Sequence, residues 1–148
     1  MRVFVAGASG RVGTALTRDL AEARHDVVAA SRHPERFDGE AHVTGVDLDL
    51  HALVERLVEV LRGSDAVYFL AGSRGKDLLQ TDAFGAVKLM MAAQQLGIRR
   101  FILLSSVFAD EPDKWDDPNL RNITNYNITK FFADQWLMTR TDLEYTIV

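Results

Sequence analysis

The sequence contains no cysteine, which excludes disulfides, thiolate nucleophiles and cysteine-ligated zinc together. Proline is scarce: Pro34, Pro112 and Pro118 all fall in polar stretches that read as loops, and no proline-rich linker, low-complexity tract or internal repeat divides the chain. Positive charge is also in short supply. Against 21 Asp and Glu stand 17 Lys and Arg, a net charge of −4, so there is no basic field to hold nucleic acid or an anionic membrane. Long apolar runs are missing too. The opening stretch Met1-Arg2-Val3-Phe4-Val5-Ala6 halts at Gly7, short of a signal-peptide core or a membrane span, and the expectation is a cytoplasmic protein. No metal site is expected. His42 and His51 lie near Asp47 and Asp49, but a strand end and a helix start point these side chains in different directions. The acidic run Asp110, Glu111, Asp113, Asp116 and Asp117 lacks the turn glycine and closing glutamate of a calcium loop.

What is present suffices for one globular core: 148 residues, of which 47% are hydrophobic. Short β-rich runs alternate with stretches of helical period, the pattern of a parallel sheet covered by helices. Strands are expected at Val3 to Ala6, Val27 to Ser31, Ala41 to Val46, Ala66 to Ala71, Phe101 to Ser105 and Leu143 to Val148. These runs show little alternation, as in strands buried on both faces. Arg11 to Ala23 sets Val12, Ala15, Leu16 and Leu20 on one stripe, and His51 to Leu61 does so with Leu53, Val54, Leu57, Val58 and Leu61. Asp77 to Leu96 is apolar around most of its circumference and is expected to be a deep core helix or a dimer interface. A polar connection from Asp110 to Asn125 and a helix from Tyr126 to Thr139 follow, in which Trp136 is expected to pack. The class is α/β: a Rossmann-type doubly wound parallel sheet in three layers, strand order 3-2-1-4-5-6.

Directly after the first strand comes Gly7-Ala8-Ser9-Gly10-Arg11-Val12-Gly13, a Gly-x-x-Gly-x-x-Gly that runs into an amphipathic helix. Position gives the motif its meaning. Gly7 permits the sharp turn, Gly10 leaves backbone open to a pyrophosphate, and Gly13 lets the helix lie close on the sheet. Free N–H groups near Arg11 and Val12, with the helix dipole, favour the phosphate charges. At the end of the second strand, where an NAD site places a carboxylate against the ribose diol, the sequence reads Ser31-Arg32. A guanidinium beside a hydroxyl suits a 2′-phosphate, so NADP(H) is expected over NAD(H).

Taken together with later segments, these residues resemble the short-chain dehydrogenase/reductase superfamily, in its extended and atypical branch of epimerase-like and NmrA-like proteins. Gly45-Val46-Asp47-Leu48 looks like the segment in which an aspartate and its neighbour border the adenine, which implies Asp47 and Leu48 as cofactor contacts. Asp65 to Gly72 is similar to the family's fourth strand, whose terminal Ala71-Gly72 backbone runs beside the cofactor. Asp82-x-x-Gly85 stands where an Asn-x-x-Gly is usual. Tyr126-Asn127-Ile128-Thr129-Lys130, after a strand ending in Ser105-Ser106, is the family's Tyr-x-x-x-Lys. A carbonyl that accepts hydride develops charge on oxygen and needs a proton donor and a hydrogen-bond donor there. Tyr126 and Ser106, with Ser105 as the fallback, can supply them. Lys130, one turn on, is expected to lower the phenol pKa and to bond the nicotinamide ribose.

The resemblance implies an oxidoreductase or epimerase-like enzyme acting on a small carbonyl or alcohol. A non-catalytic NAD(P)-binding redox sensor is the alternative. It also implies a C-terminal substrate-binding portion expected to be absent here, so residues 1–148 are read as one NAD(P)-binding domain. Copies are expected to associate, if at all, through the 77–96 helix or the final edge strand.

Overall fold

Residues 1–148 are described by a computed structural model. Its centre is β1 (Arg2–Ala6), in which Val3, Phe4, Val5 and Ala6 are all buried because both faces of the strand are covered. β2 (Asp26–Ser31) and β3 (Val43–Asp47) add on one side of it, and β4 (Ala66–Phe69), β5 (Arg100–Leu103) and β6 (Glu144–Ile147) on the other. All pairings are parallel and the order is β3-β2-β1-β4-β5-β6, as the sequence pattern predicts.

Alternate residues of each strand face opposite layers, and two separate apolar clusters result. On one face, Phe4, Ala6, Val28, Ala30, Val67, Phe69, Phe101 and Leu103 pack beneath α2 (Val54–Leu61), α3 (Gly85–Gln95) and α4 (Thr124–Arg140). On the other, Val3, Val5, Val27 and Ala29 meet α1 (Arg11–Glu22) and Phe37 of a short 3₁₀ turn, Pro34–Phe37. That turn lies so close to β3 that a Cβ at Gly45 would come within 2.2 Å of the Pro34 carbonyl oxygen. Beyond β4 this second face carries no helix. Tyr68, Ile102 and Thr146, neighbours in register across β4, β5 and β6, line an open groove with Val148.

Several expected boundaries shift for identifiable reasons. Val12 does not join the α1 stripe but stays 47% exposed at the helix start, and the buried positions are Gly13 and Thr17, with Leu16 and Leu20 packed beside them. The second helix begins at Val54 rather than His51, because the Asp49 carboxylate accepts from the His51 N–H (2.8 Å) and ties residues 49–51 into a turn. Leu53 is left 75% exposed. His51 itself meets Asp77 across the loops, Nε2 to Oδ2, at 2.6 Å.

The expected 77–96 helix is two windings in sequence. Leu78–Phe84 is a π-helix, and α3 proper starts at Gly85. The wider winding carries Asp82 to a fully buried position, where both its carboxylate oxygens accept from the Ser73 N–H at 3.1 and 3.0 Å. Trp136 does not pack as expected: it is 40% exposed on the outer side of α4. No helix is long and apolar enough to cross a membrane.

Candidate active site

The glycine turn follows from the crowding around it. Gly7 has φ +85°, and a Cβ there would lie 2.6 Å from the Ala71 backbone nitrogen at the end of β4. At Gly13 a Cβ would come within 2.2 Å of the Gly7 carbonyl oxygen, so only glycine lets α1 sit on the turn. Gly10 is different: it is the N-cap of α1, has no side chain to cap the helix, and a Cβ there would touch only the Gly7 carbonyl oxygen, at 3.2 Å. The first N–H to find a helical acceptor is that of Thr14, on the Gly10 carbonyl (2.8 Å). The N–H groups of Arg11, Val12 and Gly13 precede it with no side-chain cap, and no acidic residue occupies the first turn. Bare donors at the positive end of a helix, with backbone exposed at Gly10, fit a pyrophosphate. Ser9, between the glycines, is partly exposed at the same turn.

Beside this turn, β2 and β3 end together, with Ser31 opposite Asp47. Ser31 is buried, and its hydroxyl accepts from the His33 N–H (3.0 Å), which turns the chain at Arg32. Arg32 and Arg11 are exposed, and neither is held in an ion pair with an acidic side chain. Asp47 is exposed. Leu48 points its side chain into the core and donates its N–H to the Ser31 carbonyl (3.0 Å). Ala71 and Gly72 leave β4 against Gly7, and a Cβ at Gly72 would stand 3.2 Å from Asp82 Oδ1.

At the far end of the crevice, β5 and α4 bring Ser105, Ser106, Tyr126 and Lys130 into one region. Lys130 is 1% exposed, and its ammonium donates to the Leu104 carbonyl (2.9 Å) while lying 5.5 Å from the Tyr126 ring centre and 5.6 Å from that of Phe69. Burial pushes its pKa below the ordinary value, opposed by the negative charge of Asp82 and Asp134. Ser105 donates its hydroxyl to Asp134 Oδ2 at 2.5 Å, whereas the Ser106 hydroxyl is not engaged in this way. That division supports Ser106 over Ser105 as the group open to a substrate.

One expectation is reversed. Burial, and after it the charges of Asp82 and Asp134, push the Tyr126 phenol above its ordinary value rather than below it. Lys130 is turned to Leu104, and the carboxylates nearby disfavour a phenolate. Burial likewise raises the Asp134 carboxyl, against the Ser105 hydrogen bond and the Lys130 charge, which lower it.

Asp134 is the group that motif reading misses, although a signal exists: Tyr126, Lys130 and Asp134 recur every four residues along one face of α4. Asp82 is visible in the sequence only as an aspartate in an asparagine's usual place.

The turn and the strand order define a nucleotide-binding Rossmann domain. Residues 7–148 match the model of the NAD(P)H-binding family, and the chain belongs to that family, whose kin are oxidoreductase-like and epimerase-like. It is 31% identical over 157 residues to UPF0659 protein YMR090W of Saccharomyces cerevisiae, covering 100% of this chain and 68% of that protein. To YhfK of Bacillus subtilis, an uncharacterized sugar epimerase, it is 28% identical over 155 residues, covering 100% of this chain and 70% of that one. The crystal structure of the oxidoreductase ylbE from Lactococcus lactis superposes with a TM-score of 0.94 at 39% identity, over 99% of this chain and 67% of that one.

Proposed function

We propose that the protein is an NADP(H)-dependent oxidoreductase, or an epimerase that works by transient oxidation, acting on a small carbonyl or alcohol. The observation that carries this reading is the uncapped start of α1 at Gly10, set against the β4 end by glycines that tolerate no Cβ. In this proposal Gly7, Ser9, Gly10, Arg11, Val12 and Gly13 receive the pyrophosphate. Arg32, with Ser31 behind it, receives the 2′-phosphate, and Asp47, Leu48, Ala71 and Gly72 flank the adenosine. When bound, the nicotinamide would supply or accept the hydride.

Ser106 holds the substrate oxygen by hydrogen bond, and Tyr126 delivers the proton to that oxygen as it gains charge. A phenol held above its ordinary pKa keeps its proton at neutral pH, the state that donates to a substrate oxygen gaining charge. Lys130 fixes the backbone at Leu104, and it is the residue that would hold the nicotinamide ribose.

A second reading, a nucleotide-binding regulator without turnover, draws on one observation: Lys130 is turned to Leu104 rather than to the Tyr126 hydroxyl. Fluorescence titration with NADPH and NADH, followed by turnover on a panel of carbonyl compounds, separates the two. The enzyme reading expects Tyr126→Phe to bind NADPH as the wild type does and to lose at least about a hundredfold in rate, the contribution of a positioned proton donor. Unchanged turnover in Tyr126→Phe removes that residue's role. Tight binding with no turnover by the wild type favours the regulator.

A further inference from the structure

We infer that Asp134 is a positioning residue of this site, acting through Ser105 and Lys130 to hold Ser106 and Tyr126 in register; the inference rests on the hydride-transfer reading above. Consecutive residues at the end of β5 are held by consecutive turns of α4. The Leu104 carbonyl accepts from Lys130 at 2.9 Å, and the next residue, Ser105, donates to Asp134 at 2.5 Å. Lys130 and Asp134 stand one helical turn apart, so the two bonds close a ring between strand end and helix. Ser106 is the next residue out along the strand end, and Tyr126 is one turn before Lys130 on the helix. The ring therefore sets the distance between the two groups assigned to the substrate oxygen.

A plain structural tie does not need a buried carboxylate. Asp134 is 4% exposed, and its Oδ1 has no hydrogen-bond partner, an arrangement that costs stability unless a nearby charge offsets it. The nearby cation is Lys130, whose charge also interacts with the fully buried Asp82 of the π-helix. The groups whose charges bear on this cluster are Asp82, Tyr126, Lys130 and Asp134, with Asp110 from the following loop. Two carboxylates thus oppose the loss of charge from one desolvated ammonium, and a charged ammonium is the stronger donor to the Leu104 carbonyl. Removing Asp134 should loosen both bonds of the ring, although it touches neither substrate nor cofactor.

The test uses the cofactor-free chain first. Lys130 side-chain titration is followed by carbon-13 NMR at Cε, assigned with Lys130→Arg, in the wild type, Asp134→Asn, Asp134→Glu and Ser105→Ala. In folded Asp134→Asn the Lys130 pKa should fall, and in Asp134→Glu it should return toward the wild-type value. In turnover assays Asp134→Asn should lower kcat by about tenfold or more with cofactor KM changed by less than about threefold, the pattern of a lost transition-state alignment. It should also displace the limb of the pH–rate profile, with partial rescue by Asp134→Glu. Ser105→Ala should lower kcat while leaving the Lys130 titration nearer the wild type, because the carboxylate remains. A Lys130 titration unchanged in folded Asp134→Asn overturns the inference, as does an activity loss with no change in the pH profile and no rescue by glutamate. If the wild type turns over no carbonyl, the hydride-transfer reading fails on its own, and the NMR titration still decides whether Asp134 governs Lys130.

Discussion

A Cβ on Gly13 would sit 2.2 Å from the carbonyl oxygen of Gly7, so the third glycine of the turn is what allows the first to be covered by a helix. Gly13→Ala must move backbone rather than a flexible side chain. It should cost about 1–3 kcal/mol, the usual range for overpacking, and should weaken NADPH binding by displacing the N–H groups of Arg11 and Val12. Urea unfolding and nucleotide titration on the same preparation check both. Wild-type stability with wild-type affinity would contradict the close approach.

Arg32 projects from the end of β2 without an acidic partner. If it receives the 2′-phosphate, Arg32→Ala should weaken NADPH by about 10- to 100-fold, the worth of charge-assisted hydrogen bonds at about 1.5–3 kcal/mol, and leave NADH little changed. Equal weakening of both nucleotides would remove the 2′-phosphate assignment and, with it, the preference for NADP(H).

Phe101 and Phe84 make a paired comparison of burial. Phe101 is wholly buried between β5 and the helices above it, while Phe84 is 50% exposed at the end of the π-helix. Phe101→Ala should destabilise the fold by about 3–5 kcal/mol, and Phe84→Ala by far less. Denaturant midpoints that fall equally in the two variants would contradict the placement of the core.

For Asp134 the direction of its shift fixes a pH dependence. Because burial raises its carboxyl above the ordinary 3.8, the folded chain holds this proton more readily than the unfolded one. Its contribution to stability is therefore greatest below 3.8 and is lost as the pH rises through the raised value. Asp134→Asn has no such loss, so its stability relative to the wild type should improve as the pH climbs from acid toward neutral. Urea midpoints at matched pH values measure the difference, and a difference that is flat or runs the other way would contradict a raised carboxyl.

The sheet and its order were legible because the signals are local and repeated: unbroken apolar runs such as Val3 to Ala6, each followed by a helical stripe. The nucleotide turn was legible because three glycines at fixed spacing have few other uses directly after a strand. Less visible were features set by tertiary contacts. Periodicity cannot show that Asp49 would capture the His51 N–H and delay α2, or that the chain would widen into a π-helix to carry Asp82 inward. The Tyr126 shift runs the opposite way for the same reason, since its sign is set first by burial and then by Asp82 and Asp134, which lie 44 and 8 residues away in sequence. Asp134 is announced only by its four-residue spacing from Lys130 and Tyr126, and its bond to Ser105 is what gives that spacing meaning.

The face of β4, β5 and β6 that no helix covers has a mechanical consequence. β6 is attached along one edge only, to β5, and Glu144, Tyr145 and Thr146 remain in contact with water. Under thermal or denaturant stress this margin should peel first, and its amides should exchange with deuterium ahead of those in β1. Because the Val148 carbonyl accepts from the Ser105 N–H, each such opening also frees the strand end that bears the serines. This exposed margin and the proposed reaction chemistry thus meet at the Ser105 amide.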